Sequence, residues 1–325
     1  SGKSVVISTD FHRKASHHQF KAVQNMEKII LDTDFETDCD DVGALCTLHA
    51  LEKQGDVEIL GVIASVCSPW PAAGVRALNL ALGRPGIPVG TNRRIPNQLC
   101  YRLHRERMID RLYHWCMAAR YPEAEPGRFH PEEGIDLYRR LLRGSEDGSV
   151  TICAIGLLTV LAELIETEPE LVERKVKHLV CMANGVYPEG NPRFNWTMDP
   201  EAAERLLARW PGKITVSAPG EELLTGAELA RQLPADNLEL LAYRRFSADE
   251  PGFRRPSWDQ LTVLEAAGVL GDRVKRHRGG RIRFCAASGR HHWEPGRGEH
   301  FYLTLAAPAE EISVFIEKYM LEAWK

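Results

Sequence analysis

The sequence predicts an α/β fold built on an open, mostly parallel sheet with helices on both faces. Strand-length apolar runs alternate with amphipathic, helix-like segments through most of the 325 residues, the pattern of parallel strands joined by crossover helices. No internal repeat, low-complexity tract or linker breaks residues 26–325. That favours a single domain behind a polar N-terminal extension over residues 1–25.

In chain order, "EKIILDTD" reads as the first strand and "DVGALCTLHALEKQG" as a helix ending near Gly55. "DVEILGVIASV" is a second strand, "AAGVRALNLALG" a second helix and "IPVGT" a short third strand. "PEEGIDLYRRLLRG" is helical, and "VTICAIG" is a buried strand feeding the helix "LLTVLAELIET". "VKHLVCMA" is a strand, and "DPEAAERLLARW" a helix with Asp199 as N-cap and Pro200 in the first turn. "KITVSA" is a strand and "LLTGAELARQL" a helix. "GRIRFCAASG" and "EHFYLTLA" read as a closing strand pair, and "APAEEISVFIEKYMLEAW" as the last helix. Between those strands lie Arg290, His291, His292, Arg297 and His300. Without metal-ligand spacing they read as a solvated loop, with a lid or an oligomer contact as alternatives. The aromatics of "ERMIDRLYHWCMAARY" recur at helical spacing and read as core bordering a pocket.

Composition excludes several function classes. With 44% hydrophobic and 26% charged residues the chain can build a sizeable core. A net charge of −4 carries no electrostatic footprint for nucleic acid. No apolar run approaches the ~20 residues of a membrane span. The eight cysteines are scattered without a CxxC pair, and Cys67, Cys153, Cys181 and Cys285 lie in apolar runs that predict buried free thiols. The leader lacks a signal-peptide core. The compartment stays open between the cytoplasm and, after removal of a signal peptide, the periplasm or exterior.

Chemistry concentrates in "ILDTDFETDCDDVGAL", where Asp32, Asp34, Glu36, Asp38, Asp40 and Asp41 follow the first strand. Two like charges about 5 Å apart cost roughly 3 kcal/mol at an effective dielectric near 20, so a cation should sit among them. An EF-hand counted from Asp32 fails, because its Gly and Glu positions hold Thr37 and Gly43. Asp40 and Asp41 also meet a helix N-terminus, but capping accounts for two of six. Hard oxygen donors on a strand-to-helix loop suit Ca²⁺ or Mg²⁺, and strand ends of an open sheet are where ligands sit.

"DTDFETDCDD" resembles the opening motif of the inosine/uridine-type nucleoside hydrolase family, in a bacterial branch with two extra loop residues. "VTICAIGLLTVLAEL", "LVCMANGVYPEGNPRFNWTMDPEAAERLL" and "RPSWDQLTVLEAAG" resemble its later motifs in the same order. The resemblance implies a Rossmann-like sheet and hydrolysis of the N-glycosidic bond of a ribonucleoside with Ca²⁺. It implies Ca²⁺ ligation by Asp34, Asp41, Asp259 and the main-chain carbonyl of Ile155, with Asp34 also the general base. Asp40 would hold ribose hydroxyls, Asn191 and Asn195 would meet the 5′ side, and Met182 would lie beneath the ring. Asp32 would support the loop; Asp38, in the insertion, has no family role and competes with Asp40. The partner implied is a small nucleoside-like substrate, the assembly a homodimer or homotetramer.

The sequence departs from that pattern at three places. Arg193 stands where the family has a Glu for the 5′-hydroxyl; it either points to solvent or offers a cation to an anionic 5′ group. Trp258 precedes Asp259 where purine-cleaving members carry His, and an indole N–H is no useful acid. Ser68 replaces an Asn, for which Asn184 compensates. Two rival functions remain: a catalytically weak Ca²⁺-dependent binder of ribosyl ligands, and a metal-dependent phosphohydrolase.

Overall fold

The computed structural model describes residues 26–93, 99–248, 250, 252–296 and 298–325, so the N-terminal extension and Arg297 lie outside the described residues. The strands are β1 (Glu27–Thr33), β2 (Val57–Ala64), β3 (Val89–Thr91), β4 (Glu132–Glu133), β5 (Val150–Ala154), β6 (Val176–Met182), β7 (Ile214–Ser217), β8 (Leu224–Thr225), β9 (Arg255–Pro256), β10 (Val274–Cys285), β11 (Arg290–Pro295) and β12 (His300–Leu305). Ten form one sheet in the order β11-β10-β12-β7-β6-β5-β1-β2-β3-β4, and β8 pairs with β9 apart from it. The sheet is parallel from β12 through β4; β10 runs antiparallel to both β11 and β12.

Strand β1 is central and buried on both faces, which its unbroken "IIL" run requires. Ile29 and Leu31 pack into one core with the helices Asp40–Gln54, Trp258–Ala266 and Ala309–Glu322; Ile30 faces the other core, with Thr159–Thr167 and Pro200–Arg209. From β1 the chain builds outward through β2 to β4, then returns to β5 on the opposite side and builds toward β7. The order therefore reverses between β1 and β5, and a crevice opens where their carboxyl ends part.

Most elements match the sequence expectation. Gly55 ends the first helix at φ 79°, and the Asp199 carboxylate accepts the Ala202 N–H at 3.2 Å. Asp40 and Asp41 differ slightly: they form the first turn of the helix rather than precede it. Two expectations are overturned. Cys67 and Cys285 are exposed whereas Cys153 and Cys181 are buried, because Cys67 sits beyond the end of β2 and Cys285 at the last residue of β10. The segment expected as a solvated loop contains strand β11, with His291 and His300 each 1% exposed. His291 forms a strand-like pairing with Gly190 and stacks on Tyr187 at 4.2 Å, which is why a polar-looking stretch is buried. The helix Leu238–Phe246 carries no clear sequence signal. Among the described residues, no helix is long and apolar enough to cross a membrane.

Burial of histidines makes acid stability testable. His49 is buried beside Asn79 Oδ1 at 2.8 Å, and desolvation pushes its pKa down from 6.5 to about 4. A depressed histidine stabilises the fold above its unfolded pKa and loses that contribution as pH falls through the folded one. Between pH 6.5 and 4, His49→Gln should flatten the loss of stability by on the order of 3 kcal/mol. Urea unfolding at stepped pH checks this; equal slopes in both proteins would refute it.

Candidate active site

Where β1 and β5 part, a cavity of about 240 Å³ opens. The loop after β1 supplies Asp34 and Asp38, and the next helix supplies Asp40 and Asp41 from its first turn. The close approach of β5 brings Ile155 alongside; at the next residue, a Cβ on Gly156 would stand 2.5 Å from the Asp34 nitrogen, so only glycine fits. Asp259 arrives from the helix Trp258–Ala266, more than two hundred residues later; Met182 and Asn184 come from the end of β6 and the loop after it, and Asn195 from the start of the short helix Asn195–Met198.

The carboxylates crowd together. Oxygens of Asp40, Asp41 and Asp259 lie within 4.8 Å of one another, and all three residues are buried. Desolvation, then the charges of neighbouring aspartates, push their pKa values well above the carboxylate range. The same causes, burial first and then Asp38, Glu36 and Asp32, raise Asp34 to about 8. Asp34 lines the cavity but stands outside the tight trio, which contains Asp40 instead.

Side chains around the trio fix the loop. Thr33 donates its hydroxyl to Asp41 Oδ1. Arg255 grips Asp38 with two guanidinium nitrogens, Nε at 2.8 Å, and lies 4.7 Å from the Phe246 ring centroid. Burial, the largest single influence, opposes the charge on Arg255, but the Asp38 hydrogen bond together with the charges of Asp38 and Asp40 raises its pKa above the usual guanidinium value. Glu36 turns away from the cavity to Tyr101 at 2.8 Å, to Arg105 and to His114; burial works against its charge, yet His114 and Arg105 hold its pKa low. Asp32 also faces backward, accepting from Tyr138 at 2.8 Å, and burial raises it to about 7.

Among the described residues, five buried atoms on the cavity wall have no hydrogen-bond partner: Asp40 Oδ2, Asp259 Oδ1, Asn184 Oδ1, Asn195 Oδ1 and Thr37 Oγ1. Four are pure acceptors, and an unmet buried acceptor costs about 1–3 kcal/mol. Such a set calls for a cation and for hydroxyl donors. Asn195 is held in place by its Nδ2, which donates to the Ile155 carbonyl at 2.7 Å and leaves its oxygen free. An all-oxygen donor set of this charge fits a hard divalent cation at Asp40, Asp41 and Asp259, with the Ile155 carbonyl on the same wall.

The sequence-predicted residues Asp34, Asp38, Asp40, Asp41, Ile155, Met182, Asn184, Asn195, Trp258 and Asp259 thus share one cavity. Four others do not reach it. Asp32 lies behind it, Ser68 lines a separate cavity with Thr91 and Asn92, and Asn191 is exposed on its loop. Arg193, also exposed, pairs with Glu221 at 3.0 Å. Residues not anticipated are Thr37, His104, Met108, Phe194, Phe246 and Arg255. Thr37 is visible inside the acidic motif and Arg255 in the basic pair preceding "PSWD". His104 and Phe246 reach the cavity only through tertiary packing. Phe194 adopts φ 43°, which bulky residues avoid, and meets His104 edge-on at 4.8 Å.

A family model described as inosine-uridine preferring nucleoside hydrolase matches residues 29–267. The chain is 32% identical over 192 residues to an uncharacterised protein of Schizosaccharomyces pombe, covering 56% of this chain and 57% of that protein. It is 28% identical over 188 residues to the inosine-uridine preferring nucleoside hydrolase of Crithidia fasciculata, covering 54% and 55%. The chain therefore spans about half the length of the curated relatives it matches. The solved structure of an inosine-uridine preferring nucleoside hydrolase from Bacillus anthracis shares the fold at TM-score 0.66 and 18% identity, over 92% of this chain and 100% of that one. With a match over most of its length and an acidic cavity at the switch point of its sheet, the chain belongs to the inosine-uridine preferring nucleoside hydrolase family.

Proposed function

We propose that the protein hydrolyses the N-glycosidic bond of a ribonucleoside or nucleoside-like compound, with Ca²⁺ held among Asp40, Asp41, Asp259 and the Ile155 carbonyl, and Asp34 beside them. The observation that carries this is the convergence of Asp40, Asp41 and Asp259 on a cavity whose other unpartnered atoms, two Asn oxygens and a Thr hydroxyl, suit sugar hydroxyls. When bound, the cation offsets the acid charge and makes water more acidic.

Asp34 takes the proton of the attacking water as it adds to the anomeric carbon, with no covalent bond between sugar and protein. Asn184 and Asn195 accept ribose hydroxyls, Asn195 on the 5′ side, and Met182 lies under the ring. The crowded negative oxygens stabilise the oxocarbenium-like sugar as the bond to the base breaks. Trp258 cannot supply a proton to the departing base. His104, the imidazole on the cavity wall, is the group we assign to that step.

Two alternatives fare differently. A phosphohydrolase has less support, because the Arg255 guanidinium on the cavity wall is already paired with Asp38 and leaves a bound metal alone to meet phosphate; phosphate release without base release would establish it. The weak ribosyl-ligand binder is favoured by Arg193 and Trp258 standing where the family has Glu and His. Reducing-sugar release from a nucleoside panel separates it: tight binding without turnover would establish the binder.

Exhaustive chelation should abolish turnover, and added Ca²⁺ should restore it and raise the melting temperature; at a hundredfold excess over Kd the gain is about 2.7 kcal/mol. Asp40→Asn should stabilise the metal-free protein, because it removes one of several repelling charges, while erasing the Ca²⁺ response. A metal-free variant less stable than wild type would count against this. His104→Gln should lower kcat/KM on purine nucleosides about 10²-fold while sparing p-nitrophenyl riboside, whose leaving group needs no proton. Equal losses on both substrates would remove His104 from that role.

A further inference from the structure

A second cleft, of about 440 Å³, adjoins the acidic cavity, and the two share Asn184 and Trp258 on their walls. We propose that this cleft is a subsite for an uncharged, partly apolar substituent carried on the 5′ side of the ribosyl substrate. The proposal rests on the reading of the acidic cavity as the ribose site.

Trp258 is the partition. It is half-buried, and it lies so close to Gly220 that a Cβ there would stand 2.2 Å from the indole Cδ1. The ring is therefore packed directly against the Gly220 backbone at the boundary. On the shared wall, Asn184 presents an unpartnered Oδ1, while its carbonyl accepts the Arg193 N–H at 2.8 Å. That bond ties the rim of the second cleft to the loop carrying Asn195. Arg193, two residues before Asn195, lines the second cleft, so a substituent on the 5′ side of a sugar set against Asn195 has that cleft as its outlet.

The chemistry of the second cleft selects its occupant. Tyr187, Leu303, Leu305 and Ala218 give it apolar wall, and Val186, 70% exposed, forms an apolar lip. Its charged residues are Arg193, Glu221 and Glu222, one cation against two anions. Arg193 is already committed to Glu221 at 3.0 Å. A phosphate or carboxylate would meet a net negative rim beside a strongly acidic cavity, so the cation at position 193 does not create an anion site.

The test compares adenosine, 5′-deoxy-5′-(butylthio)adenosine and adenosine 5′-monophosphate in wild type and in Ala218→Phe, which narrows the second cleft only. Wild type should use the butylthio compound at least as well as adenosine and the monophosphate far less well. Ala218→Phe should lower kcat/KM for the butylthio compound about tenfold or more and leave adenosine unchanged. A butylthio compound much poorer than adenosine in wild type, equal losses in the variant, or a preference for the monophosphate would each overturn the proposal. If neither neutral compound is cleaved, the nucleoside panel decides the hydrolase reading separately, and calorimetric Kd values for the same pair then decide the subsite by the same ratios. Binding of neither compound would overturn it. Melting temperature and Ca²⁺ response of Ala218→Phe confirm that the variant folds.

Discussion

The mutual repulsion of buried carboxylates is the constraint around which the rest of the molecule is arranged. Asp40, Asp41 and Asp259 hold oxygens within 4.8 Å of one another in a setting that strips away water. At an effective dielectric near 20 each such pair costs roughly 3 kcal/mol when ionised. Without a counter-charge, the chain must either keep protons on these groups or bear that cost, and marginal protein stability leaves little room for it. The central strand, the helix that starts at Asp40 and the helix that delivers Asp259 all have to be rigid enough to keep the acids from drifting apart. Their burial in continuous apolar cores supplies that rigidity.

The remaining acids of the motif show how such a cluster is kept tolerable. Asp32 and Glu36 turn to the protein side, where Tyr138, Tyr101, Arg105 and His114 meet them. Asp38 is neutralised by Arg255. What remains facing the cavity is Asp34, Asp40 and Asp41 with Asp259, where Thr33 meets one oxygen of Asp41 while Asp40 Oδ2 and Asp259 Oδ1 have no partner among the described residues. Six acids in a short stretch thus divide into anchors, a paired rim and an unsatisfied centre, and only the centre calls for something from outside the chain.

Much of this is legible in the sequence because it is local. Alternating apolar runs give the order of strands and helices, and an acid-rich strand end marks the crevice through charge crowding alone. Family resemblance adds Asp259, which spacing by itself presents as an ordinary helix start. What escapes is long-range. Nothing around His104 or Phe246 announces that their helices turn toward the cavity. Arg255 stands beside the last acidic motif, yet its partner lies 217 residues away. The His291 segment misleads for the opposite reason: its polar composition suggests solvent, while stacking on Tyr187 and pairing with Gly190 bury it. Ser68, Asn191 and Arg193 follow the order of the family motifs but sit outside the cavity: Ser68, after β2, faces a separate cavity, and Asn191 and Arg193, after β6, are exposed.

The ends of the ten-stranded sheet carry a further consequence. One margin is β4, two residues long, and the other is β11, "RHHWEP", which presents charged side chains outward and finishes in proline. Short, charged and proline-capped margins offer a poor template for backbone pairing with another chain. Continuing the sheet from one copy into the next is therefore disfavoured at both margins, and misassembly into ribbons is discouraged by the same residues.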